Sequence, residues 1–162
     1  MLSQNPNRVL AIDPGTKEMG VAVLQSGALV YHDVKVIKKG RSPRETLDRG
    51  RTAVATLIAD FRPEILVIEK TFVGRNRNAS LLNVLADEIQ ALGIQNRLKV
   101  LTFAPNAVKK AICGYGWATK AEVAKAVISR YPELRAYMGS DRKWKTRFHA
   151  NMFDAVALAM MV

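Results

Sequence analysis

Arg8–Asp13 reads RVLAID, Gly20–Gln25 reads GVAVLQ and Ala28–Val36 reads ALVYHDVKV. These runs are rich in Val, Leu and Tyr, and Ser26-Gly27 separates the last two. They predict three consecutive strands joined by tight turns. The period then changes. Ser42-Pro43-Arg44-Glu45 offers a cap residue, a proline at the first helical position and a glutamate three residues after the cap. Leu47, Val54, Leu57 and Phe61 recur at helical spacing, and Pro63 closes that helix. Ile65–Glu69 (ILVIE) is a continuous apolar run ended by an acid, the pattern of a buried central strand. Leu82, Leu85, Ile89 and Leu92 mark a second helix, with Gly93 as its expected stop. Leu98–Phe103 is a fifth strand and Asn106–Ile112 a short helix broken by Gly114 and Gly116. Thr119–Glu122 is a capping box opening a helix to about Arg130. Tyr131–Arg147 is expected as a polar, basic connection, and Ala150–Val162 as a final apolar helix. A meander followed by alternating helices and strands predicts an α/β fold. It has one central mixed five-stranded sheet, with the last helix packed on it.

The chain has 162 residues, 49% apolar and 24% charged, which is globular rather than disordered composition. That length predicts a single domain over 1–162, able to bury about two-thirds of its unfolded surface without disulfide or zinc. The one cysteine, Cys113, excludes an intramolecular disulfide framework and reads as a small buried residue. Lys and Arg number 25 against 14 Asp and Glu, a net charge of +11 that points to a polyanionic partner. No stretch approaches the roughly 18 apolar residues of a spanning helix, and Met1–Arg8 lacks the apolar core of a signal peptide. The expectation is an intracellular, cytoplasmic protein that binds nucleic acid and has no membrane partner.

Three acids fall where acids are costly. Asp13 closes the first strand, Glu69 the fourth, and Asp154 lies inside the apolar segment FHANMFDAVALAMM. A carboxylate taken out of water needs a partner. If strands one and four are adjacent and parallel, Asp13 and Glu69 leave the same sheet edge, and the last helix can bring Asp154 to them. Three converging carboxylates call for cations, and divalent metal held by oxygen ligands is the natural solution. Two such ions about 4 Å apart would activate a water and stabilise a leaving oxygen in phosphodiester cleavage. The alternative is three unrelated acids: one at a turn, one in a salt bridge, one on a solvent face.

Four blocks, in order, carry a family resemblance. Ala11-Ile12-Asp13-Pro14-Gly15-Thr16 with Gly20-Val21-Ala22 resembles the first-strand motif of RuvC-type Holliday junction resolvases. Val67-Ile68-Glu69-Lys70-Thr71-Phe72, then Arg75-Asn76, is similar to their second acidic motif. Pro105-Asn106-Ala107-Val108-Lys109, then Gly114-Tyr115-Gly116, Ala118 and Lys120, resembles their basic helix-turn region. Phe153-Asp154-Ala155-Val156-Ala157-Leu158-Ala159 resembles the C-terminal helix. The resemblance implies an RNase H-like fold with helices on both faces of the sheet. It also implies a homodimer and cleavage of two opposed strands of a four-way DNA junction with magnesium or manganese, two ions per site. Nucleoid association and a branch-migration helicase partner go with it. Asp13, Glu69 and Asp154 would be metal ligands. Lys109 and Lys120 would act at the scissile phosphate, Phe72 would stack on a base, and Arg75 would contact DNA.

One departure bears on the fourth ligand. The family usually carries an acid or a histidine three residues before the last aspartate, and Asn151 stands there. Asn151 shares a helix face with Asp154 and could offer its amide oxygen. His149, about 140° round a regular helix from Asp154, could join only if the helix begins after it. Two basic clusters flank the proposed site. Lys35, Lys38, Lys39, Arg41, Arg44, Arg49 and Arg51 form the first; Arg142, Lys143, Lys145 and Arg147, around Trp144, form the second and better candidate for phosphate contact. Tyr115 and Trp117, in a glycine-flanked loop, could touch DNA, with core packing at least as strong a reading. Two rival readings stay open. One is an RNase H-like nuclease of the YqgF type acting on RNA. The other is a junction-binding protein that does not cut, suggested by Asn151.

Overall fold

The structure is a computed structural model and describes residues 7–71, 77–139 and 143–162, with the side chains of 77–79 and 143–146 outside the description. The predicted meander is β1 (Arg8–Asp13), β2 (Glu18–Gln25) and β3 (Ala28–Val36), paired antiparallel. Then come α1 (Pro43–Phe61), β4 (Ile65–Glu69), α2 (Arg77–Gln95) and β5 (Lys99–Phe103). The chain closes with α3 (Pro105–Cys113), α4 (Lys120–Arg130), a 3-10 helix (Pro132–Tyr137) and α5 (Lys143–Ala159). The sheet order is β3-β2-β1-β4-β5, with β4 parallel to both of its neighbours.

Side chains alternate along each strand, so one sheet builds two cores. Leu10, Ile12, Val21, Val23, Leu66 and Ile68 face α1 and α2. Val9, Ala11, Ala22, Leu24 and Val67 face the layer of α3, α4 and α5. β1 and β4 run in register, Ala11 opposite Val67 and Ile12 opposite Ile68. The next residues out are Asp13 and Glu69, and parity sends both toward the α5 layer.

Local capping follows the sequence. Ser42 Oγ accepts from the Glu45 N–H (3.2 Å), and Glu45 reaches back to the Arg41 N–H (2.6 Å). At α4 the full capping box forms between Thr119 and Glu122. Two expectations fail. Gly93 does not stop α2, which runs on to Gln95; a Cβ there would lie 2.7 Å from both Leu66 and Val100, so the glycine lets α2 press on β4 and β5. The segment expected as a connection is largely helical: Pro132–Tyr137 is a 3-10 helix whose Leu134 is fully buried, and α5 starts at Lys143. Among the described residues no helix is long and apolar enough to cross a membrane.

α5 lies across β1, β2 and β3 and buries Met152, Phe153 and Ala155–Ala159. Its approach is limited by Gly20, which is paired with Asp13: a Cβ on Gly20 would sit 1.9 Å from the Asn151 carbonyl oxygen. The helix backbone thus rests on the strand backbone one turn before Asp154. Gly20→Ala is expected to cost about 1–3 kcal/mol by overpacking, and Gly20→Val more, in urea unfolding. Wild-type stability in both variants would refute the close contact.

Candidate active site

Asp13, Glu69 and Asp154 converge at the carboxyl ends of β1 and β4, under α5. Asp13 donates a hydrogen bond to Glu69, and Asp154 repels both. Burial is the largest cause holding the Asp13 carboxyl well above the usual carboxylate range; the Glu69 and Asp154 charges add to it. Burial also raises Glu69, against the Asp13 hydrogen bond and the nearby Lys120 and Lys109 charges, which favour its ionised form. The shared proton therefore resides on Asp13. Lys120 Nζ sits 3.1 Å from Asp154 Oδ2. Burial works against the Lys120 charge, but Asp154, then Asp13 and Glu69, hold the ammonium above its ordinary value.

Each group is delivered by a different element. Period-2 alternation delivers Asp13 and Glu69. The Gly20 contact sets the height of Asp154 above them. The Thr119 cap fixes Lys120 at the first position of α4. Lys109, on α3, is half-buried and close enough to act on Glu69, whereas its neighbour Lys110 is exposed. Lys120 and Lys109 thus bring positive charge to the three acids from two different helices.

The donors fit a hard dication by their chemistry, since all three acids offer oxygen. They are not arranged as a ready cage: among the described residues, no three His, Cys, Asp or Glu side chains are set to hold a metal. The reason is visible. Asp13 and Glu69 use oxygens on each other, and Asp154 uses one on Lys120.

Of the residues weighed as fourth ligand, His149 does not join the acids. α5 begins before it, so it turns away and meets Tyr137, at 5.0 Å between ring centroids, near His32. Asn151 donates its amide N–H to Glu18 (3.2 Å). Glu18 was missed in the sequence, although strand parity places it, like Gly20, on the sheet face that carries Asp13. Phe72, Arg75 and Arg142 lie outside the described residues. Lys143 and Lys145 stand at the start of α5 with side chains outside the description, and Arg147 is exposed there. In the first basic cluster, Lys35 pairs with Asp33, Arg44 with Asp48 and Arg49 with Glu45. Cys113 is half-buried at the margin of the core rather than within it.

The family profile described as crossover junction endodeoxyribonuclease RuvC matches residues 9–161. A protein of that name from Marinobacter nauticus is 31% identical over 156 residues, covering 94% of this chain and 83% of the relative. The Thermus thermophilus RuvC structure superposes with a TM-score of 0.72 at 25% identity, over 94% of this chain and 91% of that one. The same bacterium's RuvC in complex with Holliday junction substrate gives 0.72 at 24%, over 94% and 90%. The expected RNase H-like fold is the one observed. With nearly its whole length matched, and with the four ordered blocks folded around one acidic centre, the chain belongs to the RuvC family of crossover junction endodeoxyribonucleases.

Proposed function

We propose that this chain resolves Holliday junctions in DNA recombination and repair by hydrolysing phosphodiester bonds at the Asp13/Glu69/Asp154 centre. The observation that carries the assignment to these residues is the electrostatic coupling of three carboxylates and Lys120 inside a RuvC-family chain. Asp13, Glu69 and Asp154 would hold magnesium or manganese, two ions per site. Bound there, the metal supplies Lewis-acid activation of water and neutralises charge at the phosphate.

The protein's own groups do the rest. Asp13 would give up its proton on holding a dication, which would couple loading to proton release. Lys120, released from Asp154, presents its ammonium to the scissile phosphate, and Lys109 supports it from α3. Asn151, held by Glu18, packs beside Asp154 without adding charge. Two opposed strands require two centres, which supports a homodimer with its two-fold axis on that of the junction. The chain's net charge of +11 supports work on a polyanion such as DNA.

Cleavage of a synthetic four-way junction with magnesium or manganese tests the assignment. Asp13→Asn, Glu69→Gln and Asp154→Asn are each expected to lose at least about a hundredfold in single-turnover rate while still binding the junction. Full activity in any two of them would refute it. Lys120→Ala is expected to lose roughly 10²–10³ in rate, with Lys120→Arg recovering part; an unchanged rate removes Lys120 from the chemistry.

The raised carboxyls also fix a pH dependence. A group whose folded pKa is raised binds its proton more tightly in the native state. Its stabilisation is therefore full below the ordinary carboxylate range and is lost as pH rises through the raised value. Metal-free wild type is expected to lose thermal stability as pH rises above the ordinary carboxylate range, and Asp13→Asn to lose less and melt higher at neutral pH. Magnesium or manganese should raise the wild-type Tm and leave the variant's nearly unmoved. Identical pH profiles for the two proteins would contradict the coupled pair.

A further inference from the structure

Trp117 lies in the connection between α3 and α4 and is 82% exposed, more than any other large apolar side chain among the described residues. That exposure removes core packing as its role. Its neighbours, in contrast, are anchored. Ala118 is buried at 1% exposure. The Tyr115 ring stands 5.3 Å from the indole, tilted by 38°. Tyr115 donates its hydroxyl proton to Glu122 Oε1 (2.6 Å), and Glu122 Oε2 accepts from the Thr119 N–H (2.7 Å). One carboxylate thus ties both the helix cap and the aromatic support under Trp117. An indole held this way keeps little freedom to lose on binding.

The position is also informative. Trp117 precedes Lys120 by three residues, a chain length that spans at most about 11 Å, and Lys120 Nζ reaches Asp154. A strand of B-DNA rises about 3.4 Å per nucleotide, so the indole lies within a few nucleotides of any phosphate held at Lys120. Residues 105–130 carry five cations, Lys109, Lys110, Lys120, Lys125 and Arg130, against the single acid Glu122. That acid is engaged by Tyr115 and Thr119. A rigid exposed aromatic within a cationic surface is the combination that binds unpaired strands, backbone by charge and base by stacking.

We propose that Trp117 is a stacking platform for an unpaired nucleobase of the strand that passes Lys120, and that it contributes to selecting branched over fully paired DNA. Inside a duplex both faces of a base are covered by its neighbours; at a junction a base can leave the stack and offer one. Stacking accepts any base, so the selection is for structure rather than sequence. The proposal rests on the resolvase reading.

The test measures junction and duplex binding by Trp117→Ala and Trp117→Phe without divalent cation, using a four-way junction with 2-aminopurine at unpaired positions near the crossover. Trp117→Ala is expected to weaken junction binding roughly five- to hundredfold and to leave duplex binding within about twofold. The slope of log affinity against log salt should stay unchanged, because no phosphate contact is lost. Trp117→Phe should retain most of the affinity. Fluorescence of 2-aminopurine should drop on binding wild type and the Phe variant, and not the Ala variant. Equal weakening for junction and duplex, or wild-type junction binding by the Ala variant, overturns the stacking role. A wild-type protein that neither prefers nor cuts junctions overturns the resolvase reading instead, which the wild-type arm shows separately. Thermal melts of both variants check that the fold is intact.

Discussion

The approach of α5 to β2 at Gly20 is the constraint on which the site depends. A strand end can offer Asp13 and Glu69 by alternation alone, but the third acid comes from the far end of the sequence. Asp154 reaches them because Gly20 has no side chain, and the Asn151 carbonyl comes down where a Cβ would stand. Asp154 follows one turn later on the same helix face. Helix-to-sheet packing usually keeps a layer of side chains between backbones. Removing that layer at one point converts a core helix into part of an active site.

The closeness has an electrostatic consequence. Three carboxylates drawn together and partly desolvated cannot all stay ionised alone. In the metal-free protein a proton on Asp13 and the ammonium of Lys120 supply the missing positive charge. Its donors are accordingly paired with each other rather than splayed. On the proposed function the same groups would be released when the site works, a proton to solvent and an ammonium to the phosphate, so stability and catalysis would draw on the same charges in opposite senses, a common trade at functional sites.

Much of this was legible in the sequence, for physical reasons that can be named. Strand alternation and an acid at each strand end sufficed to put Asp13 and Glu69 on one edge. The caps at Ser42 and Thr119 were readable because a helix start needs side-chain acceptors in a fixed spacing. The start of α5 was not readable. Its first turns, KWKTR, are polar and carry no apolar period, and that error alone kept His149 open as a ligand. Gly93 misled because a glycine demanded by tight packing looks the same in sequence as one demanded by a helix end. Glu18 and the Gly20 notch depend on which strand lies beneath α5, a tertiary fact that no local pattern encodes. Trp117 read at least as readily as a packing residue as a DNA contact, and only its exposure in the folded chain rules out the core.

The surplus of positive charge is unevenly free. Around β3 and α1, Lys35, Arg44 and Arg49 face partner carboxylates. Beyond the screening length, about 8 Å at physiological salt, such pairs look neutral. Around α3 and α4 the one acid, Glu122, is turned inward to Tyr115 and Thr119, and Lys120 and Lys109 face the acidic centre instead, with Lys120 3.1 Å from Asp154. On the proposed function a DNA phosphate and a dication would meet at Lys120, which faces Asp154 in the free protein, so one site would serve partners of opposite charge.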